Sequence, residues 1–148
     1  FLGDEIAVMN EGRLQQVGSA EIVFHQPRTR FVAQFVGQTD FITGLVSDQG
    51  VETPLGILPR SLPLSPGTVL DMAVRPDDVK LTADANGKAQ IISRQFLGIA
   101  YMVRVRLPDG SVVHSWQSHR IDLPVGTVVS ATIRPGHTLP CFFNDVAV

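Results

Sequence analysis

The chain has 148 residues, 44% of them hydrophobic and 18% charged, with a formal net charge of −2. That is ordinary globular composition for one domain with an appendage, and its mild acidity argues against bulk binding to a phosphate backbone. The single cysteine, Cys141, excludes an internal disulfide and reads as a small apolar strand residue in a reducing compartment.

No stretch reaches the ~20 apolar residues of a membrane-spanning helix, and no charged-then-apolar secretory signal is present. The chain opens on Phe1 rather than Met, at the edge of a periodic segment. We therefore expect a piece of a longer cytoplasmic protein. Ile6 and Val8 lie in a predicted strand, Asn10-Glu11-Gly12 turns the chain, and Leu14 to Val17 is the predicted return, stopping at Gly18. A lone two-stranded hairpin is marginal in water, so this one needs something to pack against. Apolar surface on Ile6, Val8, Phe24 and Phe31 is expected to be exposed in the isolated piece.

Ser19 predicts a helix N-cap, with Glu21 in the first turn where a carboxylate suits the helix dipole. Pro27 ends that helix near Gln26. The pairs Phe31/Phe35 and Val32/Val36 then predict a second short helix, stopped at Gly37. Beyond Gly37 the pattern changes. Short runs rich in Val, Ile and Thr alternate with Pro and Gly, and most of the 10 prolines fall here. The clearest strand is Tyr101 to Leu107, with Tyr101, Val103, Val105 and Leu107 on one face and Met102, Arg104 and Arg106 on the other. Pro108-Asp109-Gly110 turns it, and Ser111 to Trp116 is the predicted return. Evenly spaced short strands with turn signals indicate a sandwich or small barrel. The domain boundary is placed at residue 37, giving units 1–37 and 38–148.

One internal repeat stands out. "LSPGTVLDMAVRPD" from Leu64 and "LPVGTVVSATIRPG" from Leu123 are offset by 59 residues and share six of fourteen positions. Each copy runs from Gly-Thr punctuation into an apolar strand closed by Arg-Pro, where the proline has no N–H for the ladder. Two matching halves of one β domain are the expected result.

Motifs that carry chemistry are few. Gly87-Lys88 lacks the glycine and hydroxyl of a phosphate loop. His25, His114, His119 and His137 show neither an i, i+4 pair nor a Cys partner, so no zinc site is expected. His114 and His119 flank Trp116 and read as hairpin surface. Ser115 and Ser118 near His119 lack an orienting acid. Arg104, Arg106 and Arg120 with Tyr101 and Trp116 sketch a basic aromatic face, but one Tyr and one Trp in the whole chain are too few, and no nucleic-acid partner is expected. Arg75 and Arg134 are the candidate anion ligands, since a guanidinium fork suits oxyanions. The alternative is that each closes a strand end or pairs with Asp77 or Asp78.

The stretch "DEIAVMNEGRLQQVGSAEIVFHQPRTRFVAQFVG", Asp4 to Gly37, resembles the end of the nucleotide-binding domain in ATP-binding subunits of bacterial ABC importers. The following "LGIAY", "LPDG" and "IRP" elements resemble the TOBE regulatory domain of that family. The resemblance implies an OB-like barrel of short antiparallel strands, preceded by a β-hairpin and two short helices. It implies a parent subunit that uses ATP and Mg to power import, with the phosphate loop, signature segment, catalytic Glu and switch His all upstream of Phe1. The piece itself would then hold no cofactor, no metal and no catalytic residue. Expected partners are a second copy of the subunit, the membrane-spanning permease subunits, and a small regulatory ligand or protein. The complex would sit at the inner face of the cell membrane. Val112, Trp116, Ile121 and Leu123 are the candidate dimer contact, because a two-fold interface needs a self-complementary apolar patch. The stretch Phe96 to Gly110 leans toward the iron(III) or polyamine branch. Asp40 departs from the family's common Asn, and Ile22 and Phe24 from its Glu and Tyr. A free-standing oxyanion-binding protein of two OB-like halves, using Arg75 and Arg134, is the alternative.

Overall fold

The computed structural model describes residues 3–148, so residues 1 and 2 of the N-terminal unit lie outside the described residues. Strands β1 (Ile6–Asn10) and β2 (Arg13–Gly18) form a separate antiparallel pair. Glu11 and Gly12 both take positive φ, 50° and 76°, the turn whose twist matches that of the flanking strands. The hairpin packs within its own chain. Val8 is buried against Val23 of α1 (Ala20–His25) and Val32 of α2 (Arg30–Phe35), with Ile6, Phe31 and Val36 at the margin. Ser19 caps α1 as expected, its hydroxyl accepting the Ile22 N–H at 3.2 Å. Thr29 does the same for α2 through the Val32 N–H, also at 3.2 Å.

The expected exposed surface needs correction. Val8 is buried and Phe24 lies beneath the Arg75 guanidinium. Among the described residues, the exposed large apolar side chains of this unit are Met9, Leu14, Val17, Ile22 and Phe35. The Phe31/Phe35 spacing does bring the rings together, stacked at 5.7 Å, but Phe35 is the solvent side of that pair at 66% exposure.

The remainder is built of eleven strands in two sheets. In chain order they are β3 (Asp40–Ser47), β4 (Gly50–Thr53), β5 (Gly56–Leu58), β6 (Val69–Val74), β7 (Val79–Ala83), β8 (Ala89–Phe96), β9 (Ala100–Arg106), β10 (Val112–Ser118), β11 (Val128–Ile133), β12 (Cys141–Phe143) and β13 (Val146–Ala147). One sheet has the order β10-β9-β8-β11-β7 and the other β13-β12-β6-β3-β4-β5. With β13 set aside, the two orders are the same once β3, β4, β5 and β6 are matched to β8, β9, β10 and β11. The fifth place is exchanged. β7, from the first half, pairs with β11, and β12, from the second, pairs with β6.

The sequence repeat is the visible part of this symmetry. Gly67 and Gly126 sit at φ +89° and +93°, a conformation that costs a side-chain-bearing residue far more than glycine. Thr68 and Thr127 each donate their hydroxyl to a carbonyl three residues back, Ser65 and Pro124, at 2.6 Å in both copies. The N–H groups of Gly67 and Gly126 bond Val46 and Ile91 at 2.8 Å in both. The copies differ after that point. The β3–β4 hairpin turns at once at Ser47–Gly50, whereas β8 and β9 run on to Phe96 and Ala100.

Both sheets contribute to one core. Ile42, Val51 and Met72 from one meet Ile91, Val103, Val105 and Val129 from the other. The edges of the five-stranded sheet close on each other through side chains. Buried Ser115 on β10 donates to the Val79 carbonyl of β7 at 2.8 Å, and Gln117 donates to Ser115 at 2.8 Å. On the other sheet Arg60, just past β5, donates to the Leu139 carbonyl beside β12 at 2.7 Å. The architecture is thus the expected mainly β, OB-like one with two related halves.

Because each half takes its fifth strand from the other, neither is complete alone. A peptide of residues 38–88 contains β7 but lacks β12, and we expect it to show no cooperative thermal transition by circular dichroism as a monomer. A sharp monomeric transition for that peptide would mean that the exchanged strand is dispensable.

Candidate functional site

The chain crosses from one half to the other just after each Arg-Pro, and the two crossings meet at Asp78. This residue is 4% exposed and closes a short 3-10 turn, Pro76–Asp78. Its Oδ2 accepts the Arg75 N–H at 2.9 Å, its Oδ1 lies 3.0 Å from His137 Nδ1, and its carbonyl accepts the Arg134 N–H at 2.6 Å. Asp78 and His137 are themselves 59 residues apart, so equivalent positions of the repeat face each other.

Arg75 reaches away from this point into the N-terminal unit. One terminal nitrogen donates to Thr39 Oγ1 at 2.7 Å and to the Gln38 carbonyl at 3.4 Å. The other donates to the carbonyls of Phe24 at 3.2 Å and Ala33 at 3.5 Å. The guanidinium lies 3.8 Å from the centre of the Phe24 ring, a cation–π contact. Burial pushes its pKa down, while Asp78 and Asp77 pull it up. It remains charged at neutral pH, since guanidinium starts far above it. One side chain therefore ties α1, α2 and the linker to the β structure.

Arg134 behaves differently. Its Nε donates to the Asp77 carbonyl at 3.2 Å, and it lines a cleft of about 290 Å³ with Asp77, Asp78, Trp116, Pro135 and His137. Arg75 lines a smaller pocket of about 30 Å³ with Phe24, His25, Asp77, Asp78 and His137. The two candidate anion ligands thus stand on different pockets around the same aspartates. Of the candidate dimer residues, Val112 is half-buried and Leu123 belongs to the core, while Trp116 and Ile121 are 40% and 48% exposed.

A second junction joins the sheets. The Asp40 carboxylate at the start of β3 accepts the His114 N–H at 2.6 Å and lies 3.0 Å from that ring's Nδ1. An Asn here could accept the backbone N–H through its oxygen but would bring no charge to the imidazole. Sequence reasoning missed both aspartate–histidine pairs. The repeat offset, applied to Asp78, points directly at His137; nothing local links Asp40 to a residue 74 positions away.

The comparisons with known proteins bear on this arrangement. The TOBE domain model matches residues 72–140. That span takes in the latter half of β6, the junction at Asp78 and the whole second half up to Pro140. The chain is 38% identical over 121 residues to the spermidine/putrescine import ATP-binding protein PotA of Pseudomonas fluorescens, covering 74% of this chain and 32% of that protein. It is 30% identical to the PotA of Rubrobacter xylanophilus, over 93% of this chain and 38% of that protein. It is 33% identical to the sulfate/thiosulfate import ATP-binding protein CysA of Xylella fastidiosa, over 85% and 35% respectively. The chain carries a TOBE domain and is related to the ATP-binding subunits of ABC importers. It spans about a third of the length of these curated relatives. Within the TOBE domain, Asp78, Arg134 and His137 all fall inside the matched residues, and Arg75 joins the domain to the helices before it.

Replacing Arg75 with Ala should destabilise the chain by about 3 kcal/mol, since hydrogen bonds from a charged donor are worth ~1.5–3 kcal/mol each. Arg75→Lys should restore only part of that, lacking the planar fork; urea unfolding measures both. At the other junction, Asp40→Asn should cost about 1 kcal/mol and Asp40→Ala roughly twice that, because only the alanine strands the His114 N–H. Equal losses would mean that the imidazole pairing carries the whole effect.

Proposed function

We propose that this chain is the C-terminal regulatory and dimerising part of an ABC importer's ATP-binding subunit. Polyamines are the favoured cargo class, with iron(III) as the other class to which the sequence leans. The observation that carries this reading is the likeness to PotA over 93% of the chain, which takes in both the hairpin–helix unit and the TOBE domain. In the parent subunit ATP would be bound with Mg and hydrolysed upstream. Residues 1–148 contribute no phosphate loop and are not an enzyme by themselves. The partners are a second copy of the subunit, the permease subunits at the inner face of the membrane, and a regulatory ligand or protein read by the TOBE domain.

Regulation of this kind needs a coupling of only about 1–3 kcal/mol. Arg75 supplies a path for it, because a shift at the Asp78 junction is felt directly at the Phe24 and Ala33 carbonyls of the helices. Dimerisation would use the exposed side chains of Trp116 and Ile121 and the half-buried Val112, whereas Leu123 is committed to the core.

The test is sedimentation velocity on this chain and its Trp116→Asp, Ile121→Asp double variant. We expect a reversible dimer whose dissociation constant weakens at least tenfold in the variant. A wild-type chain that stays monomeric at millimolar concentration, or a variant that dimerises as well as wild type, removes the dimer contact from the proposal.

A further inference from the structure

Three donor atoms converge at the seam between the first helix and the TOBE domain. One oxygen from each of Asp77 and Asp78 and one ring nitrogen of His137 lie within 4.8 Å of one another. His137 Nδ1 is 3.0 Å from Asp78 Oδ1 and 4.0 Å from Asp77 Oδ2. Two ligands can share one ion at bond lengths of ~2.0–2.2 Å only if they stand within about 4.4 Å of each other; both separations to His137 meet that limit, and the two carboxylate oxygens stand within 4.8 Å of each other.

A fourth donor is adjacent. The ring of His25, in the last turn of α1, is 5.7 Å from that of His137. The pocket shared by these residues has a free volume of about 30 Å³, which suits an ion with a water rather than an organic ligand. The two carboxylates supply negative charge, part of it opposed by the Arg75 guanidinium on the same pocket. The salt bridges of the Asp77 and Asp78 carboxylates run only to His137, among the described residues. Asp78 is nearly fully buried. The nearby arginines direct the hydrogen-bond donors described above elsewhere: Arg75 to Thr39 and main-chain carbonyls, and Arg134 Nε to the Asp77 carbonyl.

We propose that His25, Asp77, Asp78 and His137 form a binding site for a divalent transition-metal ion of the Zn²⁺ type. Two imidazoles with carboxylate oxygens are a borderline donor set, suited to Zn²⁺ or Co²⁺ and poorly suited to Ca²⁺ or Mg²⁺, which prefer all-oxygen shells. The sequence search found no such site because it looked for local spacing. Here one ligand comes from a helix, two from a 3-10 turn and one from the other half of the repeat. An ion bound there would fasten α1 to the crossing point of the two halves. This inference stands apart from the importer reading, since it rests only on the donor geometry.

The experiment is calorimetric titration of the tag-free chain with Zn²⁺, paired with Co²⁺ absorption spectra to report nitrogen ligation. We expect one ion per chain. Affinity should fall at least tenfold in both His25→Ala and Asp77→Asn, two exposed positions whose replacement leaves the fold intact by circular dichroism. His119→Ala, on a histidine remote in sequence from the cluster, should bind as wild type does. Absence of saturable one-to-one Zn²⁺ binding overturns the proposal. So does a weakening of less than tenfold in either His25→Ala or Asp77→Asn, or an equal loss in His119→Ala.

Discussion

Asp78 is where the structure is tied together. Each of two equivalent strands, β6 and β11, must end and hand the chain to the opposite half, and each does so at an Arg-Pro whose proline stops the ladder. The crossings run side by side, and Asp78 serves both: its carboxylate accepts the Arg75 N–H and stands 3.0 Å from His137 Nδ1, and its carbonyl accepts the Arg134 N–H. A buried carboxylate without such partners would be costly. With them it fixes where both exchanged strands depart, and so where β7 and β12 can pair.

From that point the order of the molecule follows outward. Arg75 is placed by the carboxylate it caps, and its guanidinium then sets the position of both short helices through their carbonyls. Those helices bury Val23 and Val32 beneath Val8 and give the hairpin the support that two strands alone lack. The small cluster of Ala33, Ala73 and Phe142 adds an apolar contact across the same boundary. A proposed regulatory domain attached this way does not hang on a flexible tether. It shares buried polar and apolar contacts with the unit it would regulate.

Much of this was legible in the residues. The repeat announced two halves through Gly67/Gly126 and Arg75/Arg134; the structure returns the same hydrogen bonds at both Gly-Thr pairs, while the two arginines take different partners. Ser19, Pro27 and the alternation from Tyr101 to Leu107 are local signals, and local signals were read correctly. What escaped was non-local. Strand patterns say which face is buried but not which neighbour a strand takes, so the exchange of β7 and β12 left no trace in periodicity. Phe35 obeys helical spacing and yet faces solvent, and Leu123 looks like surface and is core, because burial depends on what stands opposite. The aspartate–histidine junctions belong to the same class, since each joins residues dozens of positions apart.

The exchanged strands also set an order of events on the ribosome. β6 emerges long before β12, so the first sheet must wait with one edge open until residues 141–143 have been made. Local hairpins such as β8–β9 can form as they appear, but closure of the first half demands a contact across about half the chain. An unpaired edge held open while the second half is made invites pairing with a neighbouring nascent chain. The short length of β12, three residues, keeps the template that waits for it correspondingly small.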